Sequence, residues 1–300
     1  GDRDVSHAVQ AMKLGATDYL TKPTPLAEVE KVVAQARDRR RLKAENAALR
    51  LRLERHEAPR SIVTEDPVFL GVIAQLPSLA DSDLPVLIHG EPGTGKALLA
   101  RALHDAGRRR LEPFVEVACT GVAEADFDLE LYGRERDARS SAEKRQGLIE
   151  LADRGTLFID EIADLAASAQ HKLLRTIESG EYSRLGSERV LKAAARFVAA
   201  TARDLTRLSV EGHFRKDLQY LISGVTLRIP PLRERKGDIL PLALHFLRAH
   251  GVRKGLSPQA LDALKGYSWP GNARELQMVV RRAAVLARGD RIEARDLTVA

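Results

Sequence analysis

Gly90-Glu91-Pro92-Gly93-Thr94-Gly95-Lys96 is the stretch that decides the fold of this chain. It follows an apolar run, Leu84–Ile88, and precedes a segment of helical pattern, Ala97–His104. Glycines at this spacing let backbone N–H groups surround phosphate oxygens, and the N-terminus of the following helix adds a favourable dipole. Lys96 is placed to reach the β and γ phosphates of a nucleotide. The stretch predicts a phosphate-binding loop, with Ala97 where the full pattern has a magnesium-binding Ser or Thr.

A second stretch, Gly155–Glu161, reads Gly-Thr-Leu-Phe-Ile-Asp-Glu, an apolar strand that ends in two acids. Parallel sheets bind ligands at the carboxyl ends of their strands, so we expect these acids beside the glycine loop. Asp160 can hold Mg²⁺ through its water shell, and Glu161 can polarise an attacking water. The alternative is an Asp-Glu helix cap after a strand. With the glycine loop upstream, the pair favours a nucleotide site.

Apolar runs alternate with amphipathic segments from residue 61 to about residue 234. The runs are Leu84–Ile88, Phe114–Val117, Thr156–Ile159, Phe197–Ala200 and Val225–Ile229. Apolar strands separated by helices predict a parallel sheet with helices on both faces. Pro230-Pro231 closes this α/β unit, which we place at residues 61–234. A helical pattern from Asp238 predicts a small all-α domain over residues 235–300.

Two shorter regions precede the α/β unit. Residues 1–30 predict a helix, a short strand at Asp18–Leu20 and a second helix start after Lys22-Pro23. Residues 31–60 form a helical linker whose Leu42, Asn46, Leu49 and Leu53 follow a coiled-coil spacing. Only about two heptads are present, so a lone helix packed on its neighbour is the alternative.

Composition and charge exclude several classes of protein. None of the apolar runs approaches the roughly 18 residues of a membrane helix, so no membrane partner is expected. A single cysteine, Cys119, excludes an internal disulfide framework and fits a cytoplasmic location. The net charge of +6 lies almost entirely between Arg37 and Arg60, with nine basic and four acidic residues. We interpret that cluster as a solvated helix face, with nucleic-acid contact as the alternative.

Together these residues resemble the sigma-54-dependent response regulators of the NtrC type, which carry an AAA+ ATPase module. The glycine loop and Gly155–Glu161 resemble that family's Walker A and Walker B segments. Further similar strings are Asp18–Pro23 (end of a receiver domain), Phe214–Leu218 (arginine-finger segment), Pro230–Arg235 (subdomain boundary) and Trp269–Leu276 (lid motif). The resemblance implies an α/β AAA+ P-loop NTPase fold with a C-terminal all-α lid, after a receiver fragment at 1–30 and the linker at 31–60.

The resemblance also implies ligands, roles and partners. ATP and Mg²⁺ are the expected ligands, with Asp160, Glu161, Thr201 and Arg215 in catalysis, and Gly90 to Ala97 with Arg274 in binding. Since Arg215 acts in trans in the family, self-association as a dimer or ring is expected. Other expected partners are a sensor kinase, and an RNA polymerase sigma factor or an intact family relative. We interpret the chain as a fragment, because the phospho-accepting aspartate and the DNA-binding helix-turn-helix of the family lie outside it.

The loop that engages sigma-54 in this family departs from the family pattern. The family reads Gly-Ala-Phe-Thr-Gly-Ala there, whereas this chain reads Asp137-Ala138-Arg139-Ser140-Ser141-Ala142. Arg139 puts a charge where the family has an aromatic tip, and loss of both glycines removes backbone freedom. We expect weak or absent contact with sigma-54.

Three further departures concern hydrolysis. Ala118 and Ala202 stand where the family has asparagines, the first of which holds the catalytic glutamate, and Leu221 replaces the second finger arginine. An arginine finger is worth about 10³–10⁵ in rate in NTPases. We therefore expect an ATP-binding transcriptional regulator with slow or absent turnover. The alternative is an active AAA+ ATPase that remodels the sigma-54 RNA polymerase holoenzyme.

Overall fold

The computed structural model describes residues 62–135, 144–252 and 254–297. The chain divides into two compact units at Arg60 and Ser61, and every described residue belongs to the second unit. The expectations for residues 1–30 and 31–60 therefore lie outside the described residues. So do those for the loop residues Asp137, Arg139, Ser140 and Ser141.

The α/β unit begins with two helices and contains a five-stranded sheet. The strands of the unit, in the central sheet and in two short pairs, are β1 (Val86–His89), β2 (Phe114–Ala118), β3 (Gly133–Arg134), β4 (Arg145–Gln146), β5 (Thr156–Asp160), β6 (Glu181–Ser183), β7 (Val190–Lys192), β8 (Arg196–Thr201) and β9 (Val225–Arg228). Its helices are α1 (Pro67–Ala74), α2 (Leu76–Ala80), α3 (Lys96–Asp105), α4 (Glu124–Tyr132), α5 (Leu148–Leu151), α6 (Ala167–Ser179), α7 (Leu205–Val210) and α8 (Lys216–Ile222).

The central sheet has the order β2-β5-β8-β1-β9, and each neighbouring pair is parallel. All five predicted apolar runs are strands of this sheet, with ends shifted by one or two residues. The first starts at Val86 rather than Leu84, because Pro85 has no N–H to donate to a ladder. Two short antiparallel pairs, β3–β4 and β6–β7, were not predicted, since two or three residues give no detectable alternation.

Helices cover both faces of the sheet, as the apolar runs predicted. Along β5, Leu157 and Ile159 belong to a core cluster shared with α4, α6 and α8. Phe158 points the other way and packs with Leu99 and Leu103 of α3. The alternation of side chains along one strand thus supplies two apolar layers.

The C-terminal part is a helical lid. Its helices are α9 (Ile239–Ala249), α10 (Pro258–Gly266) and α11 (Asn272–Leu286), which share a core around Trp269. Leu232 already packs in this core, just after Pro230-Pro231. The prediction of a helical domain is confirmed, with one difference. Strands β10 (Gly255–Leu256) and β11 (Arg291–Ile292) form a short parallel pair that is too brief to predict.

Among the described residues, none of the helices has both the length and the apolar character needed to cross a lipid bilayer.

Candidate nucleotide-binding site

The glycine loop joins the end of β1 to the start of α3, as predicted. Gly93 and Gly95 adopt positive φ angles of 76° and 106°, which favour glycine because other residues meet steric strain there. Thr94 closes the turn by donating from Oγ1 to the Glu91 carbonyl at 2.7 Å. A side chain at Gly95 would meet no atom within 4 Å, so the loop opens onto free space there. A glycine loop that leads into a helix N-terminus is suited to an anionic ligand.

Lys96 is the first residue of α3 and is largely buried, with 7% of its side chain exposed. Its Nζ donates to the Gly90 carbonyl at 3.1 Å and forms an ion pair with Glu161 Oε1 at 2.7 Å. The second carboxylate oxygen, Glu161 Oε2, accepts from the backbone N–H of Ala202 at 2.9 Å. Glu161 therefore links the glycine loop to the end of β8.

Asp160 ends β5 and accepts a hydrogen bond at Oδ1 from the Glu161 N–H at 3.1 Å. Burial raises the pKa of Asp160, and the charge of Glu161 raises it further, while Lys96 and Arg274 oppose both effects. Thr201 ends the neighbouring β8 and is fully buried, and its Oγ1 accepts from the Arg203 N–H at 3.0 Å. The strand order thus places Thr201 between the glycine loop and the two acids.

The lid holds the glycine loop through Glu91. Arg233 donates two hydrogen bonds to the Glu91 carboxylate at 2.7 and 2.8 Å, and this contact lowers the pKa of Glu91. Asn272 donates from Nδ2 to the same carboxylate and to the Pro92 carbonyl, each at 3.1 Å. Its Oδ1 accepts from the buried Leu232 N–H at 2.7 Å. One amide therefore ties the lid to the loop and to the subdomain boundary.

Main-chain contacts bring the lid still closer. The Arg274 N–H donates to the Gly93 carbonyl at 3.3 Å, and a Cβ at Gly93 would lie 2.3 Å from the Gly271 carbonyl oxygen. Arg235, also buried, donates to the Thr94 carbonyl at 3.0 Å. Only glycine at position 93 allows this approach. Arg274, which the resemblance assigns to nucleotide binding, therefore lies on the first turn of α11 against the loop.

Arg215 lies away from the glycine loop in sequence and position, at the N-cap of α8. Its guanidinium is 42% exposed and pairs with Asp217 at 2.6 and 3.0 Å. Leu221, near the C-terminal end of the same helix, is half-buried against the core of the α/β unit. The structure thus keeps Arg215 at the surface, while the side chain at 221 packs inward.

The two alanines lie at strand ends beside the acids. Ala118 is the last residue of β2 and is paired in register with Asp160. Ala202 follows β8 and contacts Glu161 through its backbone only. The predicted residues therefore converge at one edge of the sheet, apart from Arg215 and Leu221.

Sequence reasoning did not identify Arg233 and Asn272 as contacts of the loop, nor the buried Gln170 behind Arg215. The first two lie inside the strings Pro230–Arg235 and Trp269–Leu276, so the motifs include them but do not indicate that they contact Glu91. No pattern marked Gln170, a polar residue on a helix.

Comparison with known families agrees with this geometry. A family profile described as the sigma-54 interaction domain matches residues 62–228. A second profile, described as the AAA+ ATPase lid domain, matches residues 233–300.

Curated relatives and a solved structure extend the match. The chain is 41% identical to the transcriptional regulatory protein ZraR of Klebsiella oxytoca, over 99% of this chain and 67% of that protein. It is 44% identical to the C4-dicarboxylate transport transcriptional regulatory protein DctD of Pseudomonas aeruginosa, over 95% of this chain and 63% of that protein. The crystal structure of NtrX from Brucella abortus in complex with ATP matches at a TM-score of 0.76 and 30% identity, over 98% of this chain and 68% of that one.

The chain spans about two thirds of the length of each of these relatives. With both profiles in sequence order on one AAA+ α/β fold, the chain belongs to the family of sigma-54-dependent transcriptional activators among two-component response regulators.

Proposed function

We propose that this chain binds ATP with Mg²⁺ as a regulator of transcription in a two-component phosphorelay, with weak or absent ATP turnover and sigma-54 remodelling. The observation that carries the proposal is the state of Glu161. Its carboxylate is neutralised by Lys96 and held by the Ala202 amide, whereas the side chains of Ala118 and Ala202 offer it no hydrogen bond.

The residues around the glycine loop fit a nucleoside triphosphate. The loop from Gly90 to Ala97 opens at a helix N-terminus, and Lys96 and Arg274 supply positive charge beside it. Asp160 ends β5, on the far side of β8 from the glycine loop, where it would hold Mg²⁺ through water. When bound, Mg²⁺ would neutralise phosphate charge. These groups support binding without requiring hydrolysis.

The residues at the positions that serve hydrolysis include fewer of the groups that the family uses. A carboxylate can polarise a water only when it is free to accept the proton, and Glu161 here is engaged by an ammonium group. An asparagine at 118 would compete with Lys96 for that carboxylate, but Ala118 cannot. Arg215 is retained, whereas Leu221 contributes apolar contact instead of a charge. These features favour slow turnover.

The proposal extends to the regions outside the described residues. We assign residues 1–30 to the end of a receiver domain, 31–60 to a helical linker, 61–234 to the nucleotide-binding subdomain and 235–300 to the lid. The charged loop around Arg139 is the basis for weak sigma-54 contact. The expected partners are further copies of the chain, a sensor kinase, and a polymerase sigma factor or an intact relative. The expected location is the cytoplasm.

The second candidate is an active ATPase that remodels the sigma-54 RNA polymerase holoenzyme. One observation favours it: the backbone N–H of Ala202 already holds Glu161 at 2.9 Å, so the main chain takes over a contact that the missing amide would make. The exposed Arg215 also remains available to a neighbouring copy.

ATP binding and ATP turnover measured in parallel separate the two candidates. The intact protein would be titrated with ATP and assayed over a concentration series, beside Lys96→Ala and the surface control Lys265→Ala. The proposal expects binding that Lys96→Ala weakens by roughly a hundredfold, from loss of a charged hydrogen-bond donor. It also expects no turnover above Lys96→Ala. Turnover that rises cooperatively with protein concentration would overturn it in favour of the active ATPase.

A further inference from the structure

Gln170 is a buried amide that lies outside the nucleotide site. It occupies the first turn of α6 and is only 1% exposed. Its Nε2 donates to the Leu165 carbonyl at 2.9 Å and to the His213 carbonyl at 3.1 Å. Its Oε1 accepts from the Arg215 N–H at 2.9 Å. Both ends of the amide are therefore bonded to main-chain groups.

These partners belong to two separate parts of the chain. Leu165 follows the short 3₁₀ helix Ile162–Asp164, which comes directly after Asp160 and Glu161. His213 and Arg215 flank Phe214, whose ring is buried in the core of the α/β unit. Gln170 thus connects the segment that leaves the two acids with the segment that presents Arg215.

The backbone N–H groups of His213 and Phe214 donate to the Leu208 carbonyl, whereas the Arg215 N–H donates to Gln170. Arg215 is the N-cap residue of α8 in extended conformation, and its own side chain makes no capping hydrogen bond. Its guanidinium contacts Asp217, a residue of the same exposed turn, which cannot fix that turn against the rest of the protein. The hydrogen bond from the Arg215 N–H to Gln170 is therefore the polar contact that joins Arg215 to the α6 side.

We propose that Gln170 is a positioning residue: it fixes the main chain of Arg215 to the segment that follows Asp160 and Glu161. A displacement of Glu161 thereby moves the main chain of Arg215, whose guanidinium is exposed for contact with another copy. This inference rests on the proposed function for the trans role of Arg215, but the link between Glu161 and Arg215 is testable without nucleotide.

The test measures backbone amide exchange at Arg215 in the intact protein. Gln170→Met keeps the length and apolar stem of the side chain but removes all three hydrogen bonds. Gln219→Met is the matched control, because the side chain of Gln219 bonds to Thr206 Oγ1 of α7 at the surface and its backbone hydrogen bond to the Arg215 carbonyl does not need that side chain. We expect exchange at Arg215 to be about tenfold faster in Gln170→Met and unchanged in Gln219→Met. Unchanged exchange in Gln170→Met would overturn the inference.

A second arm separates positioning from packing. Glu161→Ala removes the contacts with Lys96 and Ala202, and we expect it to change Arg215 exchange in the parent protein but not in the Gln170→Met background. An equal change in both backgrounds would overturn the inference, because the link would then bypass Gln170.

ATP-driven self-association, followed by sedimentation, is expected to weaken about tenfold in Gln170→Met while ATP affinity at dilute concentration stays within about twofold. Association as strong as in the parent protein would contradict a role in presenting Arg215. Failure of the parent protein to bind ATP would refute the proposed function alone, since the Glu161→Ala arm still decides the role of Gln170.

Discussion

The two sides of the candidate site are built from different kinds of contact. On the lid side, the glycine loop is held mainly by side chains: Arg233 and Asn272 converge on Glu91, and Arg235 reaches Thr94, with one main-chain bond from the Arg274 N–H. On the sheet side, the acids at the end of β5 face Ala118 and Ala202, and the sole contact from these two residues to Glu161 comes from a main-chain N–H. The difference separates holding a ligand from reacting with it. The first needs a shaped loop and fixed charge, whereas the second needs side chains that can change partners.

The largest effect is expected where the lid meets the loop most closely. Gly93→Ala would place a Cβ 2.3 Å from the Gly271 carbonyl at a φ of 76°, so the lid must move or the loop must rearrange. We expect a loss of about 3 kcal/mol in the free energy of unfolding, together with loss of ATP binding. Urea denaturation and ATP titration measure the two quantities.

Gly186→Ala is the matched control for backbone strain. Gly186 has the same φ of 76° in an exposed loop, with no atom within 4 Å of the added Cβ, so it should cost only about 1 kcal/mol. Equal costs for the two glycines would mean that contact with the lid does not constrain the loop.

A smaller loss is expected from Asn272→Ala. The amide is fully buried, and its removal leaves the Leu232 N–H without its acceptor and Glu91 without one of its donors. We expect the free energy of unfolding to fall by about 2 kcal/mol. Gln75→Ala removes an exposed amide that bonds only to the Gly71 carbonyl, and should change stability little. Unchanged stability in Asn272→Ala would mean that the contacts from Arg233, Arg235 and the Arg274 N–H secure the loop without this amide.

The sheet side can be tested by adding groups instead of removing them. The double variant Ala118→Asn with Ala202→Asn supplies amides that can draw Glu161 away from Lys96. We expect turnover to rise roughly tenfold, the equivalent of one hydrogen bond to a charged group, in a steady-state phosphate-release assay. Ala123→Asn adds an amide at the exposed N-cap of α4 and should leave turnover unchanged. No gain in the double variant would show that these alanines do not limit hydrolysis.

The smallest effect concerns pH. The hydrogen bonds from Arg233 hold the pKa of Glu91 below its usual value of 4.5, so their stabilising effect is present above that value and disappears as pH falls through the lowered pKa. Because the pair is partly exposed, the gain is modest. Melting temperatures of the parent protein and Glu91→Gln should differ near neutral pH and converge as pH falls from about 5 to 3. A constant difference down to pH 3 would contradict the contribution of this pair.

Much of the fold follows from local pattern. The five apolar runs predicted the strands, and Gly90 to Lys96 predicted the turn into α3, because these features depend on neighbours in sequence. The convergence of Lys96 and Asp160 followed from the rule that parallel strands share a carboxyl edge, whereas Thr201 was marked only by the family resemblance. Pattern could not predict Arg233 on Glu91, since the two are 142 residues apart and the pairing depends on how the lid packs. Gln170 escaped because a polar residue on a helix is normally assigned to the solvent side.

The packing of the lid core gives the protein an optical property. Trp269 is the single tryptophan of the chain, fully buried, with its indole N–H donating to the Leu264 carbonyl at 2.8 Å and its ring edge-to-face with Tyr267 at 5.0 Å. The Trp269 carbonyl accepts from the Asn272 N–H at 2.9 Å, and the side chain of the same Asn272 donates to Glu91. All indole fluorescence therefore originates beside the junction between lid and loop. The fluorescence of Trp269 thus reports on the junction between lid and loop without an added label.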